Sequence, residues 1–272
     1  MPSKIITAEL KQNIINYYLS YPMTLSQVEK HFDLSHPTIS KILKNIPKYP
    51  KAKINNPELK ERFFETIDNE EKAYFLGLLI ADGNVFKDST GRQASISITL
   101  DLEDEYMLLK FKEVLNANTN VGYDGRGCGQ IAVRSNLMAT DLEQYGVIPR
   151  KSLSTYLPQI DEKYMNHLIR GILDGDGSIR VEQTCVNNKF AHYIGFCGNE
   201  QLMKDISDYC IKLNLNTIPK VYTYNDKNLS DIKIQSKNDM YIFGEWLYKD
   251  ATIFLKRKKD KYELFKSHYN LK

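Results

Sequence analysis

Two aspartates stand out because each ends a short apolar segment of helical character and is followed by glycine. Asp82 is the aspartate next to last in FLGLLIADG, which begins at Phe75, and Asp176 is next to last in IRGILDGDG, which begins at Ile169. The two aspartates are 94 residues apart, the length of one small domain. A carboxylate at a helix C-terminus faces the negative end of the helix dipole, and two such groups side by side also repel each other. A divalent cation would relieve both effects.

The chemistry open to such a pair is phosphodiester hydrolysis. A hard cation such as Mg2+ takes oxygen ligands from a few carboxylates and completes its shell with water and phosphate oxygens. Ions held in this way can activate water and stabilise a leaving oxygen. The position two residues earlier is Ile80 in one segment and Asp174 in the other, so only Asp82 and Asp176 form a matched pair. The alternative is that both aspartates merely end their helices.

Small residues on both helices would let the two aspartates meet. Gly77 and Ala81 lie one turn apart on the first helix, as do Gly171 and Gly175 on the second. Each helix therefore has a face without bulky side chains, where two backbones can approach closely. We expect these faces to pack together, which would place the aspartates side by side. The alternative is that the small residues serve packing alone.

The elements around these helices repeat. Asp68, with Glu71, can cap a helix that runs to a stop at Gly83. The pattern continues with two strands, a helix, two strands and a helix, and a second pass begins near Asp161. Such self-similarity predicts two related α+β halves about a pseudo-twofold axis.

The paired segments resemble the LAGLIDADG signature of homing endonucleases, and the resemblance extends from about Lys72 to Leu264. It implies tandem pseudo-symmetric αββαββα repeats that form a DNA-binding saddle. It also implies a monomer that cuts both strands of a long asymmetric DNA site across the minor groove. The implied cofactor is Mg2+, with Mn2+ or Ca2+ as substitutes in binding, and the main-chain oxygens of Ala81 and Gly175 would join the aspartates as ligands.

Two lysines match a basic residue that the family carries near the scissile phosphate. Lys151 lies in YGVIPRKS, and Lys258 lies in DATIFLKRKKDKY, preceded by Arg257 as Lys151 is by Arg150. The resemblance implies that they polarise water or stabilise charge developing on phosphate. Because Lys258 belongs to a basic run, the alternative is a solvated surface lysine.

Alternating polar residues on the strands would contact DNA, because one face of such a sheet packs on helices and the other is free to enter the major groove. The first half contributes Arg92, Gln93, Ser95, Ser97, Thr99, Arg126, Gln130 and Arg134. The second half contributes Arg180, Glu182, Thr184, Lys220, Tyr222, Tyr224, Lys233 and Gln235.

A second DNA-binding element precedes the repeats. The stretch TLSQVEKHFDLSHPTISKILK resembles a helix-turn-helix, whose second helix would bring His36, Thr38 and Lys41 to bases or phosphates. It departs from the usual pattern at Glu29, where a small residue is commonest, and at Asp33, where glycine is. The alternative is a helical hairpin that binds nothing.

Charge and composition divide the chain further. Residues 1–56 and 249–272 each carry a net charge of +5, whereas the middle carries −7. We expect a helix-turn-helix domain at 1–47, a basic extended linker at 48–67, and LAGLIDADG halves at 68–160 and 161–272. Lys48, Lys51 and Lys53 of the linker would lie along DNA phosphates.

The remaining expectations concern compartment and rival functions. The sequence contains no apolar run of membrane-spanning length and no secretion signal, which predicts a non-secreted protein of the cytoplasm or an organellar matrix. The four cysteines form no CxxC pair, which favours reduced thiols. Two rivals remain open: a maturase that binds intron RNA on the same scaffold, and a transcription regulator that has lost its catalytic carboxylates.

Overall fold

The structure is a computed structural model that describes residues 6–20, 25–44, 46, 58–87, 94–124, 127–149, 154–183, 190–224 and 228–271. The chain forms two compact units, Met1–Pro57 and Glu58–Lys272. In the described ranges, no helix combines the length and the apolar character that a membrane span requires.

The first unit contains three helices around a small apolar core. They are α1 (Ala8–Ser20), α2 (Leu25–Phe32) and α3 (His36–Ile42). Helix α2 ends in a turn in which Asp33 has a φ of 50°. Aspartate tolerates this left-handed conformation better than most residues, which explains how it stands where glycine is commonest. The buried core residues are Ile14, Tyr18, Val28, Ile39 and Leu43.

The second unit consists of two halves with the same order of elements. The first half comprises α4 (Glu70–Ala81), β1 (Gly83–Lys87), β2 (Ala94–Asp101), α5 (Glu105–Val114), β3 (Gly122–Tyr123), β4 (Cys128–Arg134) and α6 (Asn136–Glu143). The second half comprises α7 (Met165–Asp176), β5 (Ser178–Gln183), β6 (Phe190–Gly198), α8 (Glu200–Lys212), β7 (Tyr222–Tyr224), β8 (Leu229–Ile234) and α9 (Lys237–Tyr248). A further helix, α10 (Lys256–His268), follows the second repeat and was not expected from the αββαββα pattern.

Each half contains one antiparallel sheet of four strands. The strand orders are β1-β2-β4-β3 and β5-β6-β8-β7, so the two sheets have the same topology. Strand β4 shows the alternation that orients them: Ile131 and Val133 are buried, whereas Gln130 and Arg134 are exposed. The buried face contributes to one continuous apolar core with the helices, and the polar face stays open.

Local capping sets where the helices begin. Asn69, and not the expected Asp68, is the N-cap of α4, where its side chain accepts from the main-chain N–H of Lys72 at 2.9 Å. Asp68 instead pairs with the Lys72 ammonium at 3.0 Å. Asn199 caps α8 in the same way, by accepting from the N–H of Leu202 at 2.8 Å. Asparagine is as good an N-cap as aspartate, so sequence alone leaves the choice between neighbours open.

Candidate functional site

Helices α4 and α7 pack so closely that their glycines admit no side chain. A Cβ atom built on Gly77 would lie 2.0 Å from the main-chain oxygen of Leu168. A Cβ atom on Gly171 would lie 2.1 Å from the main-chain oxygen of Tyr74. Both distances are far below van der Waals contact, and both involve backbone atoms that cannot turn away. The two helices therefore meet backbone to backbone in the centre of the unit.

The same crossing brings Asp82 against the end of α7. A Cβ atom on Gly175 would lie 2.3 Å from Cβ of Ala81 and 3.1 Å from Oδ2 of Asp82. Asp176 is the last residue of α7, next along the chain from Gly175. The two aspartates thus belong to adjoining helix ends, as the small-residue faces led us to expect.

The glycine after each aspartate has a structural reason. At Gly83 a Cβ atom would lie 2.5 Å from the main-chain oxygen of Leu79, and at Gly177 it would lie 2.6 Å from that of Leu173. The chain passes from helix to strand with no intervening loop, since β1 begins at Gly83. Only glycine lets the strand leave so close to the last helical turn.

Lys258 is buried and bound to the end of α7, so its interpretation as a solvated surface lysine is wrong. Its side chain is 4% exposed. Its ammonium donates to the main-chain oxygens of Leu173 at 2.5 Å, Asp174 at 2.6 Å and Gly177 at 2.8 Å, and lies 3.4 Å from that of Gly175. Cations at helix C-termini complement the dipole.

The surroundings of Lys258 shift its pKa. Burial lowers the pKa of Lys258 to about 8, while the negative charges of Asp174 and Asp82 act to raise it. Asp82 belongs to the other half, and its carboxylate is near enough to favour the charged form of this ammonium. Lys258 therefore adds positive charge beside the two helix ends.

Cys197 is a further residue at this place, and the sequence argument did not identify it. Its thiol donates to the main-chain oxygen of Asp176 at 3.1 Å. Burial raises the pKa of Cys197, and the charges of Asp176, Asp231 and Asp82 raise it further. The register of β6 against β8 places Cys197 next to Asp231. The two residues lie in separate segments of the sequence, so no local pattern predicts their contact.

The donors at the two helix ends are oxygen atoms, which are the ligands that a hard cation prefers. In the part of the chain that the structure describes, no three His, Cys, Asp or Glu side chains converge on a metal-sized site. The side-chain ligands that the two helix ends could supply are the carboxylates of Asp82 and Asp176, and main-chain oxygens such as that of Ala81, with water, would have to complete the shell of a cation. This is a donor set for Mg2+, which keeps several waters, and not for a zinc site with four side-chain ligands.

The predicted DNA-contacting residues of the first sheet share its open face. Thr99 faces Gln130 across β2 and β4, and the Gln130 amide donates to the Thr99 hydroxyl at 2.9 Å. Arg134, which pairs with Ser95 farther along the same two strands, is also exposed. Ser97 differs, because it lies on the central strand between Asn84 and Ala132 and is only 8% exposed.

On the second sheet the predicted residues pair with one another and with one acid. The guanidinium of Arg180 donates to Glu182 on the same strand at 2.7 Å. Asp231, which the sequence argument did not include, accepts from the Tyr224 hydroxyl at 2.9 Å and lies 3.9 Å from the Lys233 ammonium. The exposed predicted residues of this half are Arg180, Glu182, Lys220, Tyr222, Tyr224, Lys233 and Gln235.

In the first unit, two predicted DNA-contacting residues of α3, His36 and Thr38, form hydrogen bonds with neighbouring side chains. Nδ1 of His36 lies 2.5 Å from the Glu29 carboxylate, and the Thr38 hydroxyl lies 3.0 Å from that of Ser35. His36 and Lys41 remain exposed. Glu29, which departs from the usual helix-turn-helix pattern, thus connects α2 to the start of α3.

Some predicted site residues lie outside the described residues, and their roles stay predictions. They are Lys48, Lys51, Lys53, Arg92, Gln93, Arg126, Lys151 and Thr184.

Comparisons with known proteins identify the fold. No protein-family model matches the sequence, and no curated protein matches it. The fold is similar to that of the LAGLIDADG meganuclease I-AabMI bound to uncleaved DNA, with a TM-score of 0.52, 11% identity, and coverage of 75% of this chain and 91% of that chain. For the meganuclease I-SmaMI bound to uncleaveable DNA the TM-score is 0.51 at 12% identity, with coverage of 73% and 91%. The chain therefore has the tandem α+β fold of the LAGLIDADG homing endonucleases, which confirms the predicted fold class.

Proposed function

We propose that this chain is a site-specific endonuclease that makes a metal-dependent double-strand break in a long, asymmetric DNA target. The observation that carries the proposal is the meeting of two Asp-Gly helix ends at a backbone-to-backbone helix contact. Packing alone would explain the glycines at 77 and 171. It does not explain why an aspartate ends both helices at the same place.

In this proposal the chain's own groups prepare the site. Asp82 and Asp176, with the main-chain oxygens of Ala81 and Gly175, would hold divalent ions, which supply activated water and stabilise the leaving oxygens. Lys258 donates hydrogen bonds to the carbonyl groups at the end of α7, complements their partial negative charge and thereby orients the last turn that carries Asp176. Its counterpart in the proposal is Lys151.

The open faces of the two sheets would bind the DNA. Side chains that alternate along a strand and project from one face can reach base edges in the major groove. Two sheets of identical topology but different side chains predict two different half-sites, and hence an asymmetric target bound by a monomer. The related structures named above are bound to DNA, which supports the proposal. The unit with α1 to α3 would add contacts on one flank.

Activity and target can be found in one experiment. The protein is incubated with Mg2+ and a library of double-stranded DNA, and the cut ends are sequenced. We expect a single preferred long site, cut in both strands, and no cutting after chelation of the metal. Binding without cutting would instead support the regulator, and cutting without site preference would contradict the proposal.

Substitution of the aspartates tests the site itself. Asp82→Asn and Asp176→Asn should each reduce double-strand cleavage by about 100-fold or more, because a neutral amide is a poor ligand for a hard cation. Affinity for DNA should change little, since neither carboxylate binds phosphate directly. Asp260→Asn, at an exposed position on α10, is the matched control and should cut normally. Full-rate cutting by either site variant would overturn the assignment.

A further inference from the structure

Helix α10 begins at a hydrogen bond to a buried carboxylate of α7. Oδ2 of Asp174 accepts from the main-chain N–H of Leu255 at 2.7 Å and from the Tyr74 hydroxyl at 2.8 Å. Asp174 is 1% exposed, and its other oxygen has no hydrogen-bond partner in the described structure. Leu255 is the N-cap residue of α10, and its side chain makes no capping hydrogen bond to the first turn. Asp174 therefore fixes where this helix starts.

A residue in the first turn of α10, Lys258, also contacts Asp174. The main-chain N–H of Lys258 donates to the oxygen of Leu255 at 3.1 Å, which continues the helix from its anchor. The Lys258 ammonium then donates to the main-chain oxygen of Asp174 at 2.6 Å. Asp174 thus contacts α10 twice, through its side chain at the start and through its carbonyl at Lys258. The ammonium of Lys258 is held at the α7 end by this carbonyl together with those of Leu173 and Gly177, and the start of its helix is held by the Asp174 carboxylate.

The first half cannot have the same arrangement. Ile80 stands at the position that corresponds to Asp174, 94 residues earlier, and is 3% exposed. An isoleucine side chain accepts no hydrogen bond. The two helix ends that carry Asp82 and Asp176 therefore differ chemically two residues before each carboxylate.

We propose that Asp174 is a positioning residue that sets Lys258, and that scission of one DNA strand depends on it while scission of the other does not. The inference rests on the proposed nuclease function and deepens it. A buried hydrogen bond that orients one helix start can place an ammonium to within the tolerance that catalysis demands, whereas a shift of about 1 Å can cost up to about 100-fold in rate. Of the two motif helices, α7 has this hydrogen bond from Asp174 and α4 has Ile80 at the matching position. Loss of the bond should therefore slow the scission of one strand more than that of the other.

The test measures the rate of each strand separately on DNA labelled at a different end for each strand. Asp174→Ala removes the acceptor for Leu255 and should slow one strand by about tenfold or more while it slows the other by less than about threefold. Nicked DNA should then accumulate with the nick always in the same strand. Lys258→Met should slow that same strand at least as much. Asp174→Asn keeps one oxygen that can accept both hydrogen bonds, so both rates should stay within about threefold of the wild type.

Controls separate this effect from lost stability and from failure of the proposed function. Asp239→Ala removes another carboxylate that is 1% exposed in the same half, and it should lower stability without strand bias. Equal slowing of both strands by Asp174→Ala and by Lys258→Met would overturn the inference. Should Asp174→Ala fail to fold, the ratio of the two strand rates is measured for Lys258→Met and for Tyr74→Phe, which removes the hydroxyl that donates to Asp174. Both variants should slow the same strand more than the other, and an unchanged ratio in both would overturn the inference. Wild-type protein that cuts neither strand would overturn the proposed function itself.

Discussion

At the scale of single residues, Asp239 shows how hydrogen bonds hold a buried carboxylate in its charged form. It accepts from the main-chain N–H groups of Asn216 at 2.7 Å and Thr217 at 3.0 Å, and from the Ser236 hydroxyl at 2.6 Å. Burial alone would raise the pKa of Asp239, but these hydrogen bonds outweigh burial and lower it. The residue joins the loop after α8 to the start of α9.

This lowered pKa predicts how Asp239→Asn changes stability with pH. At pH 7 the variant should lose about 1–3 kcal/mol of unfolding free energy, because the amide has one acceptor oxygen where the carboxylate has two. A depressed folded pKa stabilises the protein above the unfolded pKa, and that contribution disappears as pH falls through the folded value. In acid the wild type therefore loses the part of its unfolding free energy that exceeds that of the variant. Urea unfolding of both proteins from pH 7 to about pH 3 should show the difference narrowing below about pH 4.

A difference in unfolding free energy that stays constant across that range would mean that the charge of Asp239 contributes nothing and that the variant loses only the hydrogen bonds to the replaced oxygen. Asp260→Asn serves as the control, since an exposed aspartate should show no difference at either pH.

At the scale of elements, the contact between α4 and α7 depends on the absence of a single methyl group. Gly77→Ala and Gly171→Ala would each place Cβ about 2 Å from a main-chain oxygen of the facing helix. The helices must then separate, at a cost on the order of 1–3 kcal/mol or more. We expect a lower melting temperature and, because the carboxylates move apart, a loss of cleavage beyond what stability explains.

Gly122→Ala is the matched control for these two variants. At Gly122 the nearest atom to an added Cβ is the Gln130 main-chain oxygen at 3.9 Å, an ordinary van der Waals distance. Its melting temperature and activity should stay close to the wild type. Equal melting temperatures for all three variants would show that the helices do not pair in solution as described.

At the scale of the whole molecule, binding and cutting should be separable. Residues 1–57 and 58–272 form distinct compact units, and the candidate catalytic residues all belong to the second. A truncated chain that begins at Glu58 should still cut, but with lower affinity and less selectivity on one flank of the site. Removal of each lysine that binds a phosphate should lower the slope of log affinity against log salt by about 0.9.

Footprints and salt titrations of the full and truncated chains measure this directly. Exposed Lys41 and Lys44, with Lys48, Lys51 and Lys53 of the linker sequence, are the candidate phosphate-binding residues of the removed segment. Identical footprints with identical salt slopes would show that the first unit does something other than bind DNA.

The amino-acid sequence predicts the repeat, the order of helices and strands within each repeat, and the paired Asp-Gly helix ends. These features are local: helical and strand periods, small residues at spacing four and an aspartate before a glycine can each be recognised within one segment. Two related α+β halves follow from these features, the resemblance to the LAGLIDADG family implies the tandem repeat, and the comparisons with solved structures confirm the fold class.

The distant groups that support those ends cannot be found from any local pattern, because they depend on how the folded chain packs. Lys258 reads as one cation in a basic run, yet it is buried on carbonyl groups more than 80 residues away in sequence. Asp174 reads as an unmatched acid, yet it bonds Tyr74, 100 residues earlier, and Leu255, 81 residues later. Ser97 reads as an exposed strand residue, yet its neighbours on both sides bury it. Such contacts join segments whose separation in sequence carries no pattern, so only the packing of the folded chain reveals them.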